Sequence, residues 1–159
     1  MTIAALSDAL LRRGGPADLS LVAGLERRCF GVSDGAFSRR QLRELLANPR
    51  AYWLVSVDGL GASCWLLASN GVSRWGRLYS LAVDPKARGQ GLGARLLDAG
   101  LAWAHAQRLP ACRAEVKADN LAARRLYAKA GFREVAALAD YYGPGLAGIR
   151  LEKRLGQPN

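Results

Sequence analysis

The chain has 159 residues, of which 50% are hydrophobic, and a formal net charge of +10 at pH 7. This length and apolar content are typical of one compact domain. No run of about 18 apolar residues is present to span a bilayer. The opening MTIAALSDAL lacks the basic start and small-residue cleavage site of a secretory signal, so we expect a cytoplasmic protein with no membrane partner.

The excess of 23 Lys and Arg over 13 Asp and Glu favours an anionic cofactor, an acidic substrate surface or a ribonucleoprotein neighbour such as the ribosome, and a solvated basic surface explains it as well. The basic residues occur as scattered pairs without the motifs of nucleic acid-binding modules, so no sequence-specific nucleic acid partner is predicted. Cys29, Cys64 and Cys112 are widely spaced and odd in number. They indicate neither a disulfide framework nor a metal site, and we expect small buried side chains.

The first third of the chain indicates a short strand followed by two helices. Residues 1–8 are predicted to be a loose lead-in to one domain over residues 9–155. A strand at residues 9–13 is followed by Gly14-Gly15-Pro16 and a helix at residues 17–30. A capping-box pattern at Ser38 and Gln41 then predicts a short helix to Ala47.

The middle of the chain indicates antiparallel strands. Two apolar runs of strand length, AYWLVSV and ASCWLLA, flank Asp58-Gly59, a strong hairpin signal. RWGRLYSLAV is predicted to be a further strand that ends at Val83, because proline in the following Asp84-Pro85 has no N–H for a ladder. From Gly91 the apolar residues recur at helical spacing until Pro110.

The last third alternates strand and helix patterns. CRAEV is predicted to be a short strand, and NLAARRLYAKAG a helix that ends at Gly131. REVAALA and IRLEKRL complete the chain as two strands. The order is therefore mixed, with a hairpin first and alternating strands and helices after it.

The turn between Val83 and the long helix has the features of an anion site. A helix N-terminus leaves its first amides unpaired and carries a partial positive charge, which attracts phosphate. Gly89, Gly91 and Gly93 permit positive φ and close approach, while Lys86 and Arg88 add formal charge. A tight strand-to-helix connection also explains glycine here, and both roles are compatible at Gly93.

Two familiar phosphate loops fit this turn poorly. A Walker loop ends in Gly-Lys-Ser/Thr, whereas Gly93 is followed by Ala94 and Arg95. The spacing of Gly89, Gly91 and Ala94 satisfies a permissive dinucleotide fingerprint. However, only about 65 residues follow this turn, too few for the rest of a Rossmann sheet.

A third pattern, Arg/Gln-x-x-Gly-x-Gly/Ala, is present as RGQGLG at residues 88–93 after the strand LAVDP. Together with DNLAARRLYAKAGF downstream, it resembles the GNAT superfamily of N-acetyltransferases. AEVKADN and the Tyr pair of DYYGPG are most similar to the bacterial ribosomal-protein-alanine acetyltransferase branch. The resemblance implies an α/β (α+β) fold, with a mixed, mostly antiparallel sheet flanked by about four helices.

The resemblance also implies that the cofactor is acetyl-CoA, with CoA as product. Backbone groups of Leu81, Ala82 and Val83 would pair with the pantetheine arm, the Val83 amide facing the thioester oxygen. Asn120 would contact the cofactor, cap the following helix, or do both. The pyrophosphate would be held by the turn, whose implied binding residues are Arg88, Gly89, Gln90, Gly91, Leu92, Gly93 and Ala94.

Acetyl transfer to an amine needs a base for the amine and an acid for the departing thiolate. Glu115, in the strand AEV, matches the glutamate that removes the proton in the ribosomal branch. Tyr127 lies on the sheet-facing side of its predicted helix and is the candidate acid. A surface charge on the strand and a hydrogen-bonded core tyrosine are the respective alternatives.

The sequence indicates the identity of the amine acceptor less clearly than that of the cofactor. Tyr141 and Tyr142 precede a Gly-Pro-Gly turn and are candidates for the wall of the acceptor slot, although hairpin packing also explains them. The ribosomal branch usually carries acidic residues before its last strand, whereas this chain has GLAGIRL. We expect a protein or peptide acceptor, at an N-terminal or lysine amine. The alternatives are a small amine, an acyl-CoA sensor and a basic ribosome-associated module.

Overall fold

A computed structural model describes residues 10–31 and 36–156, which form seven strands, four α-helices and two short 3-10 helices. The predicted lead-in at residues 1–8 lies outside the described residues. The strands are β1 (Leu11–Arg13), β2 (Ala51–Ser56), β3 (Gly61–Ser69), β4 (Arg74–Val83), β5 (Ala111–Lys117), β6 (Arg133–Leu138) and β7 (Gly148–Arg154). The α-helices are α1 (Leu19–Cys29), α2 (Arg39–Ala47), α3 (Leu92–Ala106) and α4 (Leu121–Lys129), and the 3-10 helices are Pro16–Asp18 and Pro85–Ala87.

The predicted elements are present, with small shifts at their ends. Ser38 and Gln41 form the predicted capping box, and Gly131 follows α4 with a φ of 96°. The first helix begins later than predicted because Pro16–Asp18 forms a 3-10 turn, in which Asp18 accepts the N–H of Gly15 at 2.9 Å. No helix within the described ranges is long and apolar enough to cross a membrane.

The strands form one sheet in the order β1-β2-β3-β4-β5-β7-β6. Every neighbouring pair is antiparallel except β4 and β5, which are parallel. This arrangement confirms the mixed, mostly antiparallel sheet with four helices that the sequence and its resemblance predicted.

Helices cover both faces of the sheet because strand residues alternate between them. On β2, Trp53 and Val55 pack with Leu25 of α1 and Leu42 of α2, whereas Leu54 packs with residues of α3 on the opposite face. We call the α1/α2 side the front face and the α3/α4 side the back face. Cys64 and Cys112 are fully buried, as expected for small core side chains, while Cys29 is half-buried.

The parallel strands β4 and β5 pair over only two positions, Gly76 with Cys112 and Arg77 with Arg113. Beyond these pairs β4 remains bonded to β3, and β5 remains bonded to β7. The β3/β4 ladder also shifts register next to Tyr79, because Cys64 is opposite Ser80 while Trp65 is opposite Leu78. The two strands therefore leave a wedge between them towards their carboxyl ends.

The back face requires a close approach between α3 and the sheet. Gly100 lies against the Trp65 indole, which is fully buried and donates its Nε1–H to Ser63 Oγ at 3.2 Å. A Cβ added at Gly100 would overlap this indole. The glycine thus sets the distance from α3 to β3.

Replacing Gly100 with alanine should destabilise the protein although it raises helix propensity. Propensity alone would add about 1 kcal/mol to the free energy of unfolding. Overlap with Trp65 should remove about 1–3 kcal/mol or more. Urea denaturation measures the sum, and Gly156→Ala is the control, because no atom lies within 4 Å of a Cβ there. A more stable Gly100→Ala variant would contradict this packing.

Candidate active site

A cavity of about 900 Å³ occupies the wedge between β4 and β5. Its wall includes Leu81 and Val83, which pack with the back-face core, and Tyr79, which packs with the front-face core. The cavity thus reaches both faces of the sheet. Its volume is within the usual range for a small-molecule site.

The glycine turn forms the back wall of the cavity. Gly89 and Gly91 have φ values of 79° and 83°, in the left-handed region that favours glycine. No described residue accepts a hydrogen bond from the backbone N–H groups of residues 89–94. The N-terminus of the 15-residue helix α3 therefore presents consecutive unpaired donors beside the cavity.

The turn is fixed to the front-face helices by Asp84. Its carboxylate accepts the backbone N–H of Lys86 at 3.1 Å and Arg28 Nε at 2.7 Å. These two donors hold the pKa of Asp84 below its usual range. The anchored turn therefore starts from a defined position at the end of β4.

Backbone groups on the open edge of β4 come from alternate residues. The Asp84 N–H donates to the Leu60 carbonyl on the β3 side. Hydrogen-bonded and non-hydrogen-bonded pairs alternate along an antiparallel ladder, so the pair Ala82–Ala62, two positions away, is also hydrogen-bonded. The N–H and C=O of Ala82 therefore point towards β3. Those of Leu81 and Val83 are directed into the wedge. The Val83 carbonyl accepts Arg88 Nε at 3.1 Å and Cys29 Sγ at 3.3 Å.

Tyr127 on α4 lines the cavity and is only 7% exposed. Burial, and secondarily Tyr142 and Glu115, raise the pKa of its phenol well above the ordinary value, so the hydroxyl keeps its proton at neutral pH. No described residue hydrogen-bonds this hydroxyl. Asn120 lines the cavity and also caps α4, where its Oδ1 accepts the N–H of Ala123 at 3.1 Å.

Glu115 lies on β5 at the wedge, with a side chain that is 10% exposed. Arg77 Nε lies 3.5 Å from its Oε2, and Arg150 Nε donates to its Oε1 at 3.4 Å. The strand pattern puts Glu115 on the front face, because its neighbours Ala114 and Val116 pack into the back-face core. A carboxylate held by two guanidinium groups therefore faces the front part of the cavity.

Aromatic rings surround the front part of the cavity. Phe37 and Tyr79 are stacked, with centroids 5.7 Å apart, and Tyr141 and Tyr142 meet edge to face at 5.0 Å. All four rings line the cavity. Burial, with Tyr141 and Glu115, raises the pKa of Tyr142 to about 12, so this hydroxyl is also protonated at neutral pH.

Glu26 on α1 contributes a second carboxyl group to the wall. It is 5% exposed, and its Oε1 accepts the backbone N–H of Phe37 at 2.9 Å. Burial raises the pKa of Glu26, although the Phe37 bond opposes this shift. The carboxyl group thus connects α1 to the segment before α2 at the front of the cavity.

The structure brings most of the sequence-predicted residues to one cavity and leaves two outside its wall. Ala82 is directed to β3, and the exposed Gln90 does not line the cavity. The predicted residues in the wall are Leu81, Val83, Arg88, Gly89, Gly91, Leu92, Gly93, Ala94, Glu115, Asn120, Tyr127, Tyr141 and Tyr142.

Sequence reasoning missed Glu26, Phe37, Arg77 and Tyr79. An arginine within the apolar strand RWGRLYSLAV, two positions before a tyrosine, was an available signal, because period-2 alternation puts both on one face. Glu26 had no such signal, since LERRC reads as the charged side of a surface helix.

Comparisons with known proteins identify similar chains. The sequence profile of the Acetyltransferase (GNAT) family matches residues 20–132. Mycothiol acetyltransferase from Beutenbergia cavernae is 38% identical over 126 residues, which are 74% of this chain and 42% of that protein. The chain therefore spans less than half the length of this relative.

Two other similar proteins match along most of their length. N-alpha-acetyltransferase RimI from Mycobacterium tuberculosis is 32% identical over 133 residues, 79% of each chain. The structure of the ribosomal-protein-S18-alanine N-acetyltransferase from Escherichia coli superposes with a TM-score of 0.82 at 20% identity, over 94% of this chain and 95% of that one. The similarity to the Escherichia coli structure, at 20% identity, is a similarity of fold.

Replacing Glu26 with glutamine should stabilise the protein increasingly as pH rises. The amide oxygen can keep the Phe37 bond, while the buried charge is removed. Because burial raises the native-state pKa of Glu26 above its value in the unfolded chain, the contribution of Glu26 to wild-type stability falls as pH rises above about 4.5. Urea denaturation at pH 4.5 and pH 8 measures the difference between variant and wild type.

Glu44 provides the control, because its carboxylate is 67% exposed and, among the described residues, pairs only with Arg40 on the same helix. Glu44→Gln should change stability by a similar small amount at both pH values. A Glu26→Gln effect that does not grow with pH would contradict the burial argument.

Proposed function

The chain belongs to the GNAT acetyltransferase family, as its motifs predicted, and on this premise we propose that it acetylates a primary amine of a protein or peptide. The acetyl donor is acetyl-CoA, which supplies the thioester carbonyl and leaves as CoA. The observation that carries this proposal is one continuous cavity with unpaired helix-terminal amides at the back and Glu115, Tyr127 and four aromatic rings ahead of them.

The glycine turn supports binding of a pyrophosphate. Six consecutive amides, residues 89–94, lack protein acceptors among the described residues, and the dipole of α3 adds positive potential there. Lys86 and Arg88 provide formal charge close to the same turn. A diphosphate provides the anionic oxygens that these donors require.

The open edge of β4 supports binding of an extended amide-containing arm. Leu81 and Val83 direct backbone groups into the wedge, where β5 no longer pairs with β4. A pantetheine chain can add to this edge as a further strand would. The Val83 N–H then provides a donor for the thioester oxygen, whose negative charge grows during the reaction.

Glu115 and Tyr127 supply the two proton-transfer groups. A carboxylate at Glu115 accepts the proton that the amine loses, directly or through one water, as the nitrogen attacks the carbonyl carbon. The protonated Tyr127 hydroxyl gives its proton to the thiolate as the carbon–sulfur bond breaks.

The relatives support two acceptor classes. The similarity to an N-alpha-acetyltransferase over 79% of each chain favours a protein or peptide amine. The 38% identity to a mycothiol acetyltransferase favours a small-molecule amine as the second candidate. An acyl-CoA sensor without turnover is the remaining class, and the ribosome is a further partner to test.

Calorimetric titration with acetyl-CoA, followed by a thiol-release assay over peptides and small amines, tests the proposal. Binding followed by thiol release and a mass increase of one acetyl group on a peptide supports a peptide acceptor. Turnover only with small amines moves the assignment to the second class. Binding without turnover on any amine supports a sensor, and absence of binding contradicts the proposal.

Replacing Gly91 with valine should weaken acetyl-CoA binding at least tenfold. The residue has a φ of 83°, which a β-branched residue strongly disfavours, so the amides of the turn should move. Gly71→Val is the matched control, because Gly71 has a φ of 85° in a turn outside the cavity wall. It should lose stability without losing affinity, and equal affinity losses in both variants would contradict a specific role for the glycine turn.

Replacing Tyr127 with phenylalanine should lower turnover by about 100-fold or more while acetyl-CoA affinity stays within about twofold. Stability should not fall, since no described residue hydrogen-bonds the lost hydroxyl. Tyr52→Phe is the control, because Tyr52 stacks on Trp103 away from the cavity wall. Unchanged turnover in Tyr127→Phe would remove this residue from the mechanism.

A further inference from the structure

Arg77 holds an unusual position at the front of the cavity. It is the last residue of β4 that pairs with β5, so it lies where the wedge begins. Its guanidinium stacks 4.6 Å above the Tyr79 ring, and one terminal nitrogen donates to the Tyr141 hydroxyl at 3.4 Å. We call the group formed by Phe37, Arg77, Tyr79, Glu115 and Tyr141 the front mouth.

The donor capacity of Arg77 is not satisfied within the front mouth. Its Nε is buried, yet it makes no hydrogen bond with the described residues. The Glu115 oxygen at 3.5 Å is close enough for charge attraction but too poorly placed for a hydrogen bond. Buried donors of this kind are rare, because leaving one without an acceptor costs about 1–3 kcal/mol.

Positive charges also outnumber negative charges around Glu115. Two guanidinium groups, Arg77 and Arg150, flank this single carboxylate at 3.5 and 3.4 Å. Among the described residues of the cavity wall, Glu26 is the other acidic one, and it accepts the Phe37 N–H. The loop before β7 adds no free carboxylate within the described residues, since Asp140 accepts the N–H of Gly145 at 2.7 Å.

We propose that Arg77 binds a carboxylate of the acceptor, so that the acceptor is an amine bearing a carboxylate a few bonds away. This inference rests on the proposed acetyltransferase function. The Arg77 side chain is 35% exposed, so an incoming carboxylate can reach its terminal nitrogens and balance the second guanidinium beside Glu115. The stack on Tyr79 and the bond to Tyr141 fix the fork of Arg77, which reduces the entropy lost on binding.

The same geometry disfavours other acceptors. A lysine or arginine side chain next to the reacting amine would be repelled by the Arg77 guanidinium, which lines the cavity. A neutral amide would leave the two guanidinium groups beside Glu115 balanced by one carboxylate only. Two sources offer the required carboxylate: an acidic side chain near a peptide N-terminus, and the α-carboxylate of a free amino acid.

The test compares acceptors that differ only in this group. The peptide arm uses tetrapeptides with Glu or Gln at the first or second position, and otherwise identical sequences. The small-molecule arm uses amino acids and their α-amides. kcat/KM is measured by thiol release for wild type, Arg77→Gln and Arg150→Gln, and acetyl-CoA affinity is measured by calorimetry for each.

Wild type should prefer the carboxylate member of a pair at least tenfold, in the peptide arm or in the amino acid arm. Arg77→Gln should reduce this ratio to about one while acetyl-CoA affinity is unchanged. Arg150→Gln is the matched control, because it removes the other guanidinium from Glu115 but lies outside the cavity wall. It should keep the preference, which separates contact with the acceptor from an effect through Glu115.

Two results overturn the inference and leave the proposed function intact: wild type that acetylates acids and amides equally well, or a preference that survives in Arg77→Gln. Loss of the preference in both arginine variants also overturns it, since the effect would then pass through Glu115. Acetyl-CoA binding without acetylation of any member would contradict the proposed function itself.

Discussion

The site depends on the short parallel contact between β4 and β5. Only Gly76 and Arg77 pair with Cys112 and Arg113, and each strand then stays with its own antiparallel neighbour. A fully paired sheet would leave no cavity here, because adjacent strands lie about 5 Å apart. The early separation exposes the backbone of β4, opens a passage between the two faces and sets Glu115 opposite an unpaired edge.

The back of the cavity is formed mainly by backbone groups, whereas the front is formed by side chains. At the back, the backbone amides of residues 89–94 lack acceptors among the described residues, and their direction follows from the glycine conformations and from the start of α3. Such donors require no side-chain ordering, which suits a constant feature such as a diphosphate. At the front, side chains from α1, β4, β5 and the β6–β7 connection converge, so the wall there can change without altering the cofactor end.

The charged side chains of the cavity lie at specific positions in its wall. The net charge of +10 is a property of the whole surface, but its effect in the cavity depends on a few positions. Glu115 lies between two arginines, and Arg77 Nε is buried with no acceptor among the residues that the structure describes. Tyr127 and Tyr142, both near Glu115, keep their protons because burial and that carboxylate oppose ionisation. Two protonated phenols therefore lie beside one carboxyl group in a single cavity.

Local sequence determined the elements, the hairpin at Asp58-Gly59 and the glycine turn, because these follow from backbone preferences and side-chain periodicity over a few residues. Its motifs also indicated the family, and through it Glu115 and Tyr127. Only the tertiary structure decided that Arg77 meets Glu115, that Glu26 is buried beside Phe37 and that Ala82 turns towards β3. These contacts depend on strand register, on the irregularity beside Tyr79 and on where two strands separate, and such long-range geometry leaves no local pattern in the chain.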